Sequence, residues 1–309
     1  MKGGNRKFNK LGVHHVYQRA LDRGIIFYTV IDRLVYLSIS SVKAREYGVR
    51  VLAAAIMYSH THQSCVAETK EQLYKYIQDS SSIFARMYNR HYGLTGSLFA
   101  RPFGSSLKRS AKDIKSNLAY VNNNHTEKGL CSTAIQARWN FLAYRDRKNP
   151  FSKLIESPSE KLLRAIARIK RMASKGKHLS YSVLLNAFNG LDAGEREQLT
   201  DYVISAYPLV DYAAAAGIYE GFDNMLTAFD SNTGGEFALR EEYSSSPDTA
   251  YTEMIALAEK NSLIGVENPP LLRFPVEKRR RMAQAFFEQT HARKFQICKF
   301  LHLPEPESA

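Results

Sequence analysis

The chain is short of three things, and each shortage removes a class of protein. Cysteine comes first: Cys65, Cys131 and Cys298 are 3 in 309 residues, with no CxxC pair. They fit neither a disulfide framework nor a cysteine-rich zinc site, and they suit a reducing cytoplasm. Long apolar runs are the second shortage. The longest, Val51 to Tyr58, is far too short to span a bilayer. The polar, basic start MKGGNRKFNK has no apolar segment behind it that would read as a signal peptide. No membrane partner is expected. The third shortage is acid in the first half. Residues 1–150 hold 24 Lys and Arg against 9 Asp and Glu, while residues 151–309 hold 19 against 21. All of the net charge of +13 therefore lies in the first half. A basic half beside a near-neutral one points to a polyanion such as nucleic acid; the plain alternative is a solubilising surface.

Residues 1–12 read as a basic arm, with Lys2, Arg6, Lys7 and Lys10 among Gly and Asn. A strand is expected over Val13 to Ala20, and a helix over Val30 to Tyr47, whose apolar residues recur at helical spacing before Gly48. Val49 to Tyr58 reads as a strand buried on both faces, and His60 to Ala67 as its antiparallel neighbour. A long helix follows over Glu71 to His91, then a bent strand over Ser97 to Lys108 and a helix over Ala111 to Asn124. This order predicts an α+β fold, a ferredoxin-like antiparallel sheet with helices on one face. Near residue 150 the character changes. Helical patterns run over Lys161 to Ser174, Tyr181 to Phe188, Ala193 to Ala206, Thr249 to Lys260 and Val276 to Thr290, with a loop over Asp230 to Pro247. Two domains are expected, 13–150 and an all-helical 151–309.

The chemistry-bearing residues lie in the first domain. His60 and His62, two apart on a strand, point the same way. Tyr120 and Asn124, four apart on a helix, share a face. A neutral imidazole is a metal ligand at cellular pH. Two imidazoles leave a divalent site incomplete, and the Asn124 side-chain carbonyl is a candidate third ligand. Such a mixed N,O set suits Mn²⁺ or Mg²⁺ better than structural zinc. A phosphate bound there would face the Tyr120 phenol, the equipment for cutting a phosphodiester with a tyrosine nucleophile. Read singly, each residue has a plainer role: strand histidines at a polar rim, and a tyrosine packed in the core.

Several segments in order resemble those of the REP-associated tyrosine transposases, a branch of the single-tyrosine HUH transposases. They are Ile26-Phe27-Tyr28 with Asp32-Arg33 and Tyr36-Leu37, Ile56 to His62, Phe84 to Arg90 with Gly93 and Gly96 to Phe99, Arg101 to Ser105, Ala119 to Asn124 with Gly129-Leu130, and Trp139 with Tyr144. The resemblance implies an HUH nuclease palm over 13–150. It implies Tyr120 as nucleophile and His60, His62 and Asn124 as ligands of Mg²⁺ or Mn²⁺. The implied substrate is single-stranded DNA beside a hairpin, nicked and rejoined through a 5′-phosphotyrosine with no nucleotide cofactor, by a cytoplasmic, nucleoid-associated protein. Arg86, Arg90, Arg101, Lys108, Arg109 and the arm's Lys2, Arg6, Lys7 and Lys10 fit a DNA-facing surface, and read equally as solvated faces. The sequence departs from the family at Tyr58-Ser59, Thr61, Ala119 and His125, where the family has Pro-Asn, a hydrophobic residue, a basic residue and Pro. His125 adds a further candidate ligand. These departures mark a divergent branch, for which the alternative reading is a domesticated DNA-hairpin-binding protein.

In the second domain, Glu277 to Arg281 begins a basic amphipathic helix, and Phe295 to Leu303 resembles the first helix of a helix-turn-helix. Pro304 and Pro306 follow where a recognition helix would lie. A partial helix-turn-helix over 277–303 is one reading. The other is a helical packing or dimerisation module, which would make the protein a homodimer.

Overall fold

Four short segments build the sheet. In the computed structural model, which describes residues 7–21, 24–100, 103–231, 247–265 and 271–304, the strands are β1 (Val13–Arg19), β2 (Arg50–Ile56), β3 (His60–Val66) and β4 (Gly104–Lys108). They form one sheet in the order β2-β3-β1-β4, with every neighbouring pair antiparallel. The helices α1 (Val30–Glu46) and α2 (Lys70–Tyr92) connect them, and α3 (Ala111–Glu127) follows β4. Connectivity and strand order together are the split βαβ arrangement that the sequence pattern predicts. The expected strand over 97–108 resolves into two pieces, a bridge from Phe99 to Ala20 and β4 itself.

Local signals set the helix ends. Thr29, Thr69 and Ser110 each cap a helix and form a reciprocal capping box with Asp32, Gln72 and Asp113. α2 stops at Gly93, whose left-handed φ of 68° favours a residue without Cβ.

Strand parity then sorts side chains between two layers. On one side of β3, Thr61 bonds the Tyr36 hydroxyl and Gln63 accepts from the Tyr76 hydroxyl, so this side faces α1 and α2. Phe27, Tyr36 and Phe84 pack there with ring centroids 5.3–5.5 Å apart. The expectation of helices on one face holds for α1 and α2 and fails for α3. That helix crosses the opposite face, where Ala53 and Ala55 of β2 are small enough to let it approach.

After residue 150 the chain is helical: α4 (Glu160–Ser174), α5 (Tyr181–Phe188), α6 (Ala193–Ala206), α7 (Tyr212–Gly217), α8 (Phe222–Ser231), α9 (Thr249–Lys260), α10 (Val276–Gln289) and α11 (Lys294–Leu301). The expected loop over 230–247 falls mostly outside the described residues. The compositional change near 150 is not a break in packing. One apolar cluster runs from Val16 to Leu301. α1 is buried almost all round, so it needs cover on its outer side as well, and α5 and α6 supply it. The Leu179 N–H donates to Ser38 Oγ, and the Tyr28 hydroxyl donates to the Phe300 carbonyl. Arg279, from the basic run that begins α10, donates to the Leu301 and His302 carbonyls at the end of α11. That arginine is spent on packing two helices together. No helix among the described residues is long and apolar enough to cross a membrane.

Candidate functional site

The register of the sheet decides what meets α3. Tyr17 of β1 lies opposite His62, and His15 opposite Ser64. Parity therefore puts His15, Tyr17, His60, His62 and Ser64 on the α3 side. α3 answers with a stripe one turn apart: Asn117, Tyr120 and Asn124. Ser64 Oγ donates to Asn117 Oδ1 at 2.7 Å. The Tyr120 ring stands edge-on to His62 and to His15, with centroids 5.5 and 5.7 Å away. The His60 and His62 rings are perpendicular, 4.9 Å apart. Thr61 points to the other layer, so it takes no part. Tyr17 covers the floor beside His62, and its ring lies so close over Gly104 that a Cβ there would fall 1.7 Å from it.

Burial sets the charge state. His62 is fully buried, and desolvation, with His15 beside it, holds its pKa well below 6.5. It is a neutral imidazole, the form that binds a cation. Its Nδ1 lies 3.0 Å from His15 Nε2, and the tautomers decide which of the two donates. His60 is half-buried, with Nδ1 3.0 Å from Ser59 Oγ. In both rings Nδ1 faces a protein neighbour, the arrangement by which a histidine presents Nε2 to a metal. His125 is buried and pushed down to about 3, by desolvation first and then by Arg33.

No protein-family model matches the chain, and no curated protein matches it. A solved structure of a REP-associated tyrosine transposase bound to a REP hairpin is similar, with a TM-score of 0.39 and 14% identity, over 52% of this chain and 96% of that one. A likeness at this level establishes neither a shared fold nor a shared activity.

The donor set is the test of whether these residues suit a divalent cation. No three of the described His, Cys, Asp and Glu side chains are arranged to hold one ion. His15, His60 and His62 are therefore not a three-histidine site. Asn124 donates through Nδ2 to the Tyr120 carbonyl at 2.8 Å, a bond that does not use its side-chain oxygen. Among the described residues it makes no hydrogen bond to either histidine. The pair of imidazoles suits a cation, and the structure brings Tyr120 to them.

The expected DNA-facing cations divide into groups. Lys2, Arg6 and Arg101 lie outside the described residues. Lys7, Lys10 and Arg109 are exposed. Arg109 precedes the N-cap of α3, roughly 16 Å along the helix from Tyr120 at 1.5 Å per residue. Arg86 and Arg90 are exposed on α2, across the sheet from Tyr120, so a strand lying on the site would not reach them. Lys108 is 5% exposed, and burial lowers its pKa. It is part of the sheet's end and not a surface cation.

His15 is the residue that sequence reasoning missed. Its signal was faint: the second histidine of a His14-His15 pair in a strand with no clean alternation. Only the register with β3 gives it a role.

Proposed function

We propose that the protein is a metal-dependent enzyme of the single-tyrosine transposase type, which nicks and rejoins single-stranded DNA at hairpin sites. The sheet with α1 to α3 is its HUH palm. The observation that carries this reading is the Tyr120 ring edge-on to His62 and His15, on the face that also bears His60. In this reading His60, His62 and Asn124 would hold Mg²⁺ or Mn²⁺, which would supply Lewis-acid polarisation of the scissile phosphate. Tyr120 Oη attacks the phosphorus and loses its proton to a base. The bond to the 3′ oxygen breaks, leaving a 3′-OH and a 5′-phosphotyrosine. Attack by a 3′-OH on that linkage rejoins a strand and frees Tyr120.

The test is incubation of 3′-labelled hairpin DNA with protein and Mn²⁺, followed by a denaturing gel. Wild type is expected to carry label, and Tyr120→Phe to lose adduct by about 10⁴-fold or more, as when a nucleophile is removed. An adduct that persists in Tyr120→Phe would sink the assignment.

One observation favours a second reading. The departures from the family pattern at Tyr58-Ser59, Thr61, Ala119 and His125 suit a hairpin-binding protein that has lost nicking. That reading expects tight hairpin binding in EDTA, unaltered by His60→Ala, and no adduct from wild type.

A further inference from the structure

Behind the turn between β2 and β3 lies a cavity of about 250 Å³. Arg33, Met57, Tyr58, His125, Gln136 and Trp139 line it. It adjoins the candidate site without being part of it: Tyr58 precedes His60 by two residues, and His125 follows Asn124.

Arg33 is the unusual member. It is 7% exposed, and its guanidinium lies 4.8 Å from the centre of the Tyr58 ring and 5.3 Å from that of Trp139. Its Nε has no hydrogen-bond partner among the described residues. The neighbouring carboxylate is committed elsewhere: Asp32 accepts from Thr29, Tyr92 and Tyr181. Arg138, which also lines the cavity, is tied to Glu197 and Asp201. A buried guanidinium with cation–π contacts and, among the described residues, no ion pair is costly even with the Asp32 charge nearby, and an anion entering the cavity offsets that cost. The planar fork of Arg matches phosphate oxygens in pairs. His125, whose Nδ1 lacks a hydrogen-bond partner among the described residues, adds a second polar group to the wall. The remaining wall, Met57 and the Trp139 edge, is more apolar surface than a bare anion needs. The volume is below the ~300–1,000 Å³ of pockets that enclose drug-sized ligands, so the cavity encloses a phosphate and leaves the nucleoside it carries against the wall at the open mouth.

We propose that this cavity is a second anion site, which takes the phosphate of a single nucleotide on Arg33 with the nucleoside against the apolar wall. The proposal does not rest on Tyr120 chemistry, since it requires neither metal nor cleavage.

Trp139 is the single tryptophan of the chain, so its fluorescence reports on this cavity alone. The full chain is titrated in EDTA with thymidine 5′-monophosphate, thymidine, inorganic phosphate and a short oligothymidylate. The expected result is a saturable change with the monophosphate, at least tenfold weaker with thymidine or inorganic phosphate, and weakened at least tenfold in Arg33→Met. Gln136→Glu keeps the acceptor that caps Ser132 and Thr133 and adds a negative charge at the mouth. It should weaken binding at least threefold, and it decides the matter if Arg33→Met does not fold. An oligothymidylate that binds at least tenfold more tightly than the monophosphate identifies a DNA strand as the source; equal binding identifies a free nucleotide. No saturable change in wild type, equal binding of thymidine or of inorganic phosphate, or wild-type binding by both variants overturns the proposal. None of these outcomes bears on adduct formation by Tyr120.

Discussion

On one face of β3, Thr61, Gln63 and Cys65 meet Tyr36 and Tyr76 in a layer closed by Phe27 and Phe84. On the other, His60, His62 and Ser64 meet Tyr120 and Asn117. Both faces are polar along the strand itself, and both are well covered. They differ in what the cover does. The α1 and α2 layer answers each polar group with a hydroxyl and surrounds it with aromatic rings. The α3 layer leaves imidazoles against imidazole and phenol, groups that can bind a cation, lose a proton or attack a phosphorus. One strand thus serves a core and a candidate site, separated only by the pleat.

If that division is right, mutations on the two faces separate activity from stability. Tyr120→Phe, with the largest effect on chemistry, should leave the thermal midpoint unchanged. Phe84→Ala should do the reverse. Its side chain is fully buried, and its loss should cost about 3–5 kcal/mol, as for a Phe→Ala cavity in a core. Urea denaturation measures this. The fraction that stays folded should still form adduct. If Phe84→Ala costs under about 1 kcal/mol, the α1 and α2 layer is not the core of this sheet.

Much of this division was legible in the sequence, because it follows from period. The helices from α1 to α3 announce themselves by helical spacing and caps, and β2 is apolar at every position after Arg50. Alternation also placed His60 and His62 together and sent Thr61 away. What was not legible depends on pairings between distant segments. His15 acquires a neighbour in His62 only because β1 lies beside β3. Lys108 reads as a surface cation until β4 is paired with Val13. No spacing singles out Arg33, which is buried against Tyr58 and Trp139 from distant segments. The break near residue 150 is real in composition, yet α5 and α6 are required because α1 is too apolar to leave bare. Arg86 and Arg90 fit a DNA-facing surface or a solvated helix face equally well by charge, and charge does not say which side of a sheet a helix occupies.

A smaller effect tests the imidazole pair. His15→Ala leaves His62 Nδ1 without its ring partner and also removes one of the two imidazoles against the Tyr120 ring. Partners of this kind set the tautomer and orientation of a ligating histidine, and their loss costs about 10–100-fold in metal affinity. The half-saturating Mn²⁺ for adduct formation should rise by that factor, with a stability loss of about 1–3 kcal/mol, because the ring is fully buried and His62 loses its partner. Isothermal titration with Mn²⁺ provides a readout without DNA. Unchanged Mn²⁺ affinity would mean that His15 packs beside the site and does not orient it.

The smallest effect distinguishes the two faces by pH. His91, at the end of α2, stacks on Tyr181 with centroids 4.2 Å apart. Burial, with Arg273 nearby, holds it at about 4, against 6.5 for the free group. Below pH 6.5 the unfolded chain takes up a proton that the folded chain refuses until about pH 4. Stability contributed by neutral His91 is therefore present above pH 6.5 and falls as the solution is acidified towards 4. The slope from one such group is at most about 1.4 kcal/mol per pH unit, and less here because the ring is partly exposed. His91→Phe keeps the stack and removes the proton site, so urea midpoints at pH 7, 6 and 5 should fall less steeply than in wild type. If the two slopes coincide, the acid sensitivity lies with the other histidines whose pKa values burial depresses, His14, His62, His125 and His178, and His91 has no part in it.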